Sequence, residues 1–331
     1  LLYIFGIVLM PIRIPLRSTA DIATIFNRKL RNTSVLSLES GNIHGYVDVL
    51  PLPNLRLFRI KLNKTIALCA DRSSDVRVFS IDLSPNFHSD YIKAQGISLT
   101  RQALFGFNYN LKDMDLVLPA SSNICVVSVV DEFFACQLKR LECIEAFDTL
   151  ECFNVLSNSS VSSDLVSVLN QCWSNPRPLL DSVLENELIV ALIQCLVDTS
   201  ERKVSKPASR QDRHNAALRF LKTTFLDPTK AFEVQDLSIL LHQSRTSIFS
   251  GCKEKFGMSP IQVSRSVRLH QVRHALLDVE FSQLHNLNGV VNTAEYFGFV
   301  GRSHFTRNYK NEFMETPRQT LARRRNSNQI F

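Results

Sequence analysis

The sequence predicts an α+β protein: a β-rich N-terminal part, a helical segment, and an all-α C-terminal part of two helix-turn-helix units joined by a linker helix. Three observations predict it. Short alternating or wholly apolar runs separated by polar breaks fill residues 35–131. Helical spacing replaces them after Asp131. Near the end, KEKFGMSP (253–260) and KNEFMETP (310–317) repeat a helix ending in Phe, then a turn, then Pro. With 331 residues and 45% apolar content, the chain can bury two cores and is too apolar for disorder.

Charge is unevenly placed. Residues 205–331 carry 19 Lys and Arg against 10 Asp and Glu, whereas residues 1–204 carry 19 against 21. A basic part behind a nearly neutral one points to a polyanion-binding module joined to something else. The eight cysteines form no CxxC pair, so they read as small buried hydrophobes of a reducing compartment, and the cytoplasm is the expected location. The opening LLYIFGIVLM is too short to span a bilayer and lacks the basic region of a signal peptide. Residues 1–19 are read as an N-terminal extension, with Met10 a candidate true start. No membrane association is expected.

A short helix is expected over 20–31, with Ile22, Ile25, Phe26 and Leu30 on one face. Strands are expected in 55–63, 64–71, 76–84, 103–111, 114–120 and 124–130, which together favour an antiparallel sandwich or barrel. No His-x-His pair or acidic cluster lies in these runs, and His44 and His88 stand alone, so neither metal nor cofactor is expected. The β-rich domain is bounded at 20–135. Helices are expected in 133–147, 164–173 and 179–197, with SNSSVSS (157–163) and SNPRP (174–178) connecting them. In the last, Leu180, Leu184, Leu188, Val190 or Ala191, and Cys195 share an apolar face. That makes 136–197 a helical segment and a candidate dimerisation element. Residues 198–211, with Ser, Lys and Arg around Pro207, are the expected interdomain linker.

The C-terminal domain is bounded at 212–325. NAALRFLKTTFLD (215–227) is amphipathic and stops at Pro228. A first unit follows: a helix through Leu241, a turn, Ser244 as N-cap and a second helix to Phe256 and Gly257. Pro260 opens the linker helix, where proline is tolerated. Leu269, Val272 and Leu276 share one of its faces, with Arg265, Arg268 and Arg273 elsewhere. The second unit ends in GFVGRSHFTRNYKNEFMETP (298–317). Gly298 can take a left-handed turn with Phe299 plugging the corner behind it. Phe305, Tyr309 and Phe313 repeat at i, i+4 and i+8 as one buried stripe. Arg302, Ser303, Thr306, Arg307 and Lys310 are left on the opposite face, which suits a helix entering a major groove.

These residues resemble the DNA-binding domain of the AraC/XylS family of bacterial transcription regulators. The matching positions are Asp236-Leu237, Ser244-Arg245, Phe256 to Pro260, Arg268-Leu269, Ala294, Gly298-Phe299, Ser303-His304-Phe305, Arg307 and Pro317. RLHQVRHALL (268–277) with the stretch after Gly298 most resembles the ethanolamine-operon-regulator-like branch. The resemblance implies a sequence-specific, non-enzymatic regulator, in most family members an activator that contacts RNA polymerase. It also implies a β-rich sensor domain, cupin-like or a sandwich, that answers an unknown small-molecule effector or a partner. Double-stranded promoter DNA and a second copy of the chain are the other expected partners.

Carried over by position, Arg245, Thr246, Phe249, Ser250 and Lys253 would face DNA in the first unit, and Arg302, Ser303, Thr306, Arg307 and Lys310 in the second. Arg302 and Arg307 are the candidates for guanine. Lys253, Lys310 and Arg323-Arg324-Arg325 are the candidates for phosphate.

The first unit departs from the family pattern. His242 stands at the turn glycine, Ser250 at the usual groove-facing arginine, and Cys252 at the usual core phenylalanine. With Gly251 mid-helix, the first recognition helix is expected to be looser and less charged. Cys252 reads as a buried hydrophobe rather than a redox switch. His270 and His274, at i and i+4 without a third ligand, read as exposed surface histidines rather than a metal site. The alternative functions are an effector-independent architectural DNA-binding protein and an enzyme carrying this module. The first leaves about 200 upstream residues unexplained, and the second lacks a cysteine beside an activating His.

Overall fold

The computed structural model describes residues 11–27, 30–84, 92–99, 102–108, 110–157, 159–174, 181–198, 203–206, 212–230 and 234–327. The opening stretch with Met10, His88, the SNPRP connection after Ser174 and most of the expected linker lie outside them. The N-terminal half contains β1 (Ile12–Leu16), α1 (Thr19–Phe26), β2 (Arg31–Ser37), β3 (Gly45–Pro51), β4 (Leu55–Leu62), β5 (Ile66–Asp71) and β6 (Val76–Asp82). Next come β7 (Lys93–Ala94), β8 (Ile97–Ser98), β9 (Leu104–Phe105), β10 (Asp113–Leu118) and β11 (Asn123–Val130). Helices then dominate: α2 (Asp131–Arg140), α3 (Glu145–Cys152), β12 (Val155–Ser157), α4 (Ser159–Ser174), α5 (Asp181–Val197) and β13 (Lys203–Ser205). The C-terminal part is all helical: α6 (Asp212–Leu226), α7 (Val234–Leu240), α8 (Arg245–Phe256), α9 (Pro260–Leu277), α10 (Val279–Leu284), α11 (Val290–Tyr296), α12 (Arg302–Phe313) and α13 (Pro317–Ser327). Among the described residues no helix is long and apolar enough to cross a membrane.

The chain divides into two compact units. The first comprises Leu1–Pro15, Gly45–Asn63 and Arg72–Ala208; the second comprises Leu16–His44, Lys64–Asp71 and Ser209–Phe331. The β-rich part thus supplies strands to both, and its strands fall in two sheets.

The first unit is built on an eight-stranded sheet in the order β1-β3-β4-β11-β6-β9-β12-β13. Its centre is β11, antiparallel to β4 and β6. The register sets Val127 opposite Leu57 on one side and Phe79 on the other, a fully buried cross-strand row. Against this face pack Phe134 and Leu138 of α2, Leu165 and Leu169 of α4, and Leu188, Leu192, Cys195 and Leu196 of α5. Phe79 and Phe134 meet with ring centroids 5.1 Å apart. On β3, Asp48 is buried between Arg13 and Arg59, accepting from Arg13 Nε at 2.7 Å and Arg59 Nη2 at 2.6 Å. Burial pushes this carboxyl up, and the two guanidinium groups overcome that and hold it below the usual carboxylate range.

Several elements differ from the sequence expectation. The 103–111 run is strand only at Leu104–Phe105, because Gly106 turns the chain at φ 86°. The helix expected over 133–147 is two helices: Glu142 takes φ 55°, and the Cys143 N–H reaches back to the Leu138 carbonyl at 3.0 Å. The apolar pattern runs through that break and conceals it. SNSSVSS is not a connection past Ser159, where α4 begins; it holds no Gly or Pro to stop a helix. Within 198–211, Lys203–Ser205 is a strand paired with Val155–Ser157.

The second unit is organised around α9, whose Val263, Val267, Leu269, Val272, Ala275 and Leu276 are all buried. Helices α6, α8, α10, α11, α12 and α13 contact it, and so do α1 and β2 from the N-terminal segments. Ile22 of α1 and Val35 of β2 are fully buried there. β2 pairs antiparallel with β5, and Lys222 of α6 donates to Asp71 at the end of β5 at 2.5 Å.

Candidate nucleic-acid interface

Helices α7 and α8 form the first helix-turn-helix. The turn takes no glycine: His242 adopts φ 50°, and the corner closes as the Gln243 N–H donates to the Ser238 carbonyl at 3.0 Å. Ser244 caps α8 by accepting from the Ser247 N–H at 3.0 Å, and Gly257, at φ 69°, ends it. Ile248, Cys252 and Phe256 face inward. Outward lie Arg245, Thr246, Lys253 and Phe249, with Ser250 half-buried. Phe249 is 50% exposed, an unusual surface position for a ring. Gly251 is where α8 meets α6: a Cβ there would stand 1.9 Å from the Arg213 carbonyl oxygen. The expected looseness of this helix is therefore corrected. Its glycine is a packing requirement, and its turn is closed by backbone hydrogen bonds.

Helices α11 and α12 form the second helix-turn-helix. Gly298 takes φ 72°, and the Phe299 N–H donates to the Ala294 carbonyl at 2.9 Å. Phe299, Phe305, Tyr309 and Phe313 meet in series as tilted or edge-on pairs, with successive centroids 4.7 to 5.7 Å apart. Each buried ring contributes about 1.5–3 kcal/mol. Arg302, Ser303, Arg307 and Lys310 are exposed on the other face and Thr306 is half-buried.

Both units end alike. Gly257 and Met314, at φ 69° and 57°, hold the left-handed position after α8 and α12. A capping box then opens the next helix. Ser259 N–H donates to Gln262 Oε1 at 2.8 Å ahead of α9, and Thr316 N–H donates to Gln319 Oε1 at 2.7 Å ahead of α13. The repeat visible in the sequence is a repeat of helix stop and helix start.

Two of the three arginines of α9, Arg268 and Arg273, turn inward. Arg268 donates to the Gly298 carbonyl at 3.3 Å and lies 5.0 Å from the Phe299 ring centre. Arg273, 3% exposed, donates to the Arg17 carbonyl at 3.2 Å, stands 3.3 Å from Glu315 and lies over Phe313. His270 is not a surface histidine: it is 1% exposed and meets Phe313 edge-on at 4.9 Å. Its neighbours one turn away include Ser266, Arg273 and His274, so its stripe reads as polar and gives no sequence sign of being buried. His274 lies 3.7 Å from Asp21 and 3.6 Å from Asp278, so its ring faces carboxylates. In the tail, Arg323 pairs with Glu315, and Arg324 donates to Ser282 at 3.2 Å. Arg323 and Arg324 thus each make a contact within the fold, Arg323 while remaining exposed, and the Arg325 side chain lies outside the described residues. Burial pushes the Cys252 thiol up to about 12, which leaves it a neutral core group at neutral pH.

Residues 237–323 match a family model described as a helix-turn-helix domain. This segment is a helix-turn-helix domain. Over 71 residues the chain is 37% identical to the regulatory protein HrpB of Ralstonia nicotianae, a stretch covering 22% of this chain and 14% of that protein. The chain therefore spans about a seventh of the length of the curated relative it matches. Among solved structures, it is similar to the AraC-like transcriptional activator CuxR at 12% identity, covering 77% of this chain and 93% of the other, with a TM-score of 0.40. ToxT from Vibrio cholerae matches at 14% identity over 81% of this chain and 98% of its own, with a TM-score of 0.30. A probable AraC family transcriptional regulator from Rhodopseudomonas palustris matches at 26% identity over 33% and 97%, also at 0.30.

Sequence reasoning missed two parts of the helix-turn-helix domain. It did not mark α13, although Thr316-Pro317 and Gln319 already spell a helix start, and it passed over Asn288, Asn292 and Arg318. Those three share a groove with Arg302 and Thr306.

Proposed function

We propose that this chain is a sequence-specific DNA-binding transcriptional regulator of the AraC/XylS type, with α8 and α12 as its recognition helices. One observation carries the reading. Two helices, each following a tight turn, bury an apolar back and expose Arg, Lys, Ser and Thr, and both end in the same left-handed stop and capping box. Such faces supply donors for base edges and cations for phosphate. On this reading Arg307 reads guanine, a bidentate contact giving about 1–3 kcal/mol of discrimination. Lys253 and Lys310 neutralise phosphate, while Phe249 meets a thymine methyl.

The remaining N-terminal residues form the regulatory part, where an effector shifts the population of the DNA-competent state. Self-association is supported by α5, which leaves Val183 and Val190, two turns apart, each 41% exposed. Activation through RNA polymerase, in the cytoplasm, follows from the family resemblance. The likeness of Arg268–Leu277 to the ethanolamine branch lies on α9, and so concerns the DNA-binding unit rather than an effector pocket.

In-vitro selection of duplexes by the full-length protein tests the proposal. Enrichment of one sequence spanning two helical turns supports it, and uniform retention of all sequences would favour the architectural alternative.

A further inference from the structure

A groove of about 760 Å³ lies between α11, α12 and α13. Arg302 and Thr306, one helical turn apart on α12, form one wall, and Arg318 of α13 another, with Asn288 and Asn292 beside them. Val290 and Leu321 line it too, and both pack on the aromatic core beneath. None of the residues lining it is acidic. Arg302, Arg318, Asn288 and Asn292 are exposed, with their donors available to a partner.

The volume is that of a small-molecule pocket, roughly 300–1,000 Å³, and much of the lining is apolar, from Val290, Val291, Pro317, Leu321 and Ala322. What sets it apart is that two exposed guanidinium groups and two exposed amides stand around that aliphatic floor. That combination matches a sugar–phosphate strand: donors for the phosphate oxygens and a patch for the deoxyribose. The groove is also continuous with the exposed face of α12, since Arg302 and Thr306 belong to both. A helix lying in a major groove has a phosphate strand on each flank, and most protein–DNA hydrogen bonds go to those strands.

We infer that the α11–α12–α13 groove seats one sugar–phosphate strand beside the major groove entered by α12, with Arg302 and Arg318 as its two phosphate anchors. The inference rests on the DNA-binding reading above. It moves Arg302 from base reading, its place by sequence position, to strand holding, and leaves Arg307 as the guanine reader. It adds Arg318, Asn288 and Asn292 to the interface and gives α13 a role in docking the second unit.

The test is the salt dependence of binding by the full-length protein, titrated against a selected duplex and a random-sequence duplex of equal length. Arg302→Gln and Arg318→Gln are each expected to weaken both duplexes by the same factor and to reduce the slope of log affinity against log salt by about 0.9, the change for one lost phosphate contact. Arg318→Lys should restore the slope, because a cation remains. Arg307→Ala should instead reduce the preference for the selected duplex. Arg219→Gln on α6 removes the same charge from an exposed site outside the groove and should leave the slope unchanged. The inference is overturned if Arg318→Gln keeps the wild-type slope while Arg307→Ala still loses preference, or if Arg219→Gln lowers the slope as much as Arg318→Gln. If the wild-type protein holds neither duplex in a salt-dependent way, the DNA-binding reading falls and the groove assignment with it.

Discussion

Gly251 of α8 lies so close to α6 that any side chain on it would collide with the carbonyl oxygen of Arg213. Helix propensity alone says that alanine there should stabilise α8 by about 1 kcal/mol. The contact reverses the sign, because the obstacle is backbone and cannot swing away. Gly251→Ala is expected to destabilise the protein by about 1–3 kcal/mol, the usual cost of overpacking. Urea unfolding of the two proteins decides it, and a more stable variant would show that α6 and α8 do not meet this closely.

Glu312 joins α9 to the end of α12: its Oε1 accepts from Ser266 Oγ at 2.9 Å and stands 3.4 Å from His270 Nε2. Burial pushes the carboxyl up, but His270, Ser266 and the Arg265 charge outweigh it and hold Glu312 below its ordinary value. A carboxylate depressed in the folded state stabilises the fold above its unfolded pKa of about 4.3, and that contribution is lost as pH falls further. The stability gap between wild type and Glu312→Gln should therefore be widest at neutral pH and shrink below about pH 4.3. A gap that stays constant down to pH 3 would contradict the arrangement.

Residues 205–331 are not expected to stand alone. Ile22 and Val35, both fully buried, belong to elements that contact α9, and β2 also contacts α6. Without residues 16–44 and 64–71 that surface is bare. The fragment 205–331 should unfold at a lower temperature than the corresponding transition of the full chain and bind a hydrophobic dye in its folded state. An unchanged melting temperature would mean that the N-terminal segments add nothing to the helical core.

The two recognition helices should differ in what they contribute. Arg307 is exposed and long, with a guanidinium fork, whereas Ser250 is half-buried and short. Arg307→Ala is expected to weaken binding to a selected site about tenfold or more, within the 1–3 kcal/mol of a bidentate contact. Ser250→Ala should change it far less. Equal losses in a titration would remove the asymmetry between the units.

The helix-turn-helix domain was legible in the sequence because its signals are local. A stripe at i, i+4 and i+8, a glycine at a helix stop, and Ser-Pro at a helix start report on neighbours within one or two turns. Contacts made across the chain left no such mark. Nothing in α1, β2 or β5 says that they join helices beginning at residue 212, and three-residue strands such as β12 and β13 are too short to alternate. The positions of Arg268 and Arg273 misled for a related reason. They mark a polar face by residue type, yet their long stems lie on Phe299 and Phe313 and their heads find carbonyl and carboxylate partners inside. His270 went unread in the same way, since burial among Phe313 and Glu312 is a property of the packed helices and not of the helix that carries it.

The claim that α8 and α12 both read DNA is tested most directly by guanine methylation interference on a duplex selected by the full-length protein. The account predicts two patches in successive major grooves, about 34 Å apart, with the patch under α12 alone lost in Arg307→Ala. A single patch that survives Arg307→Ala, or interference spread evenly along the duplex, would contradict it.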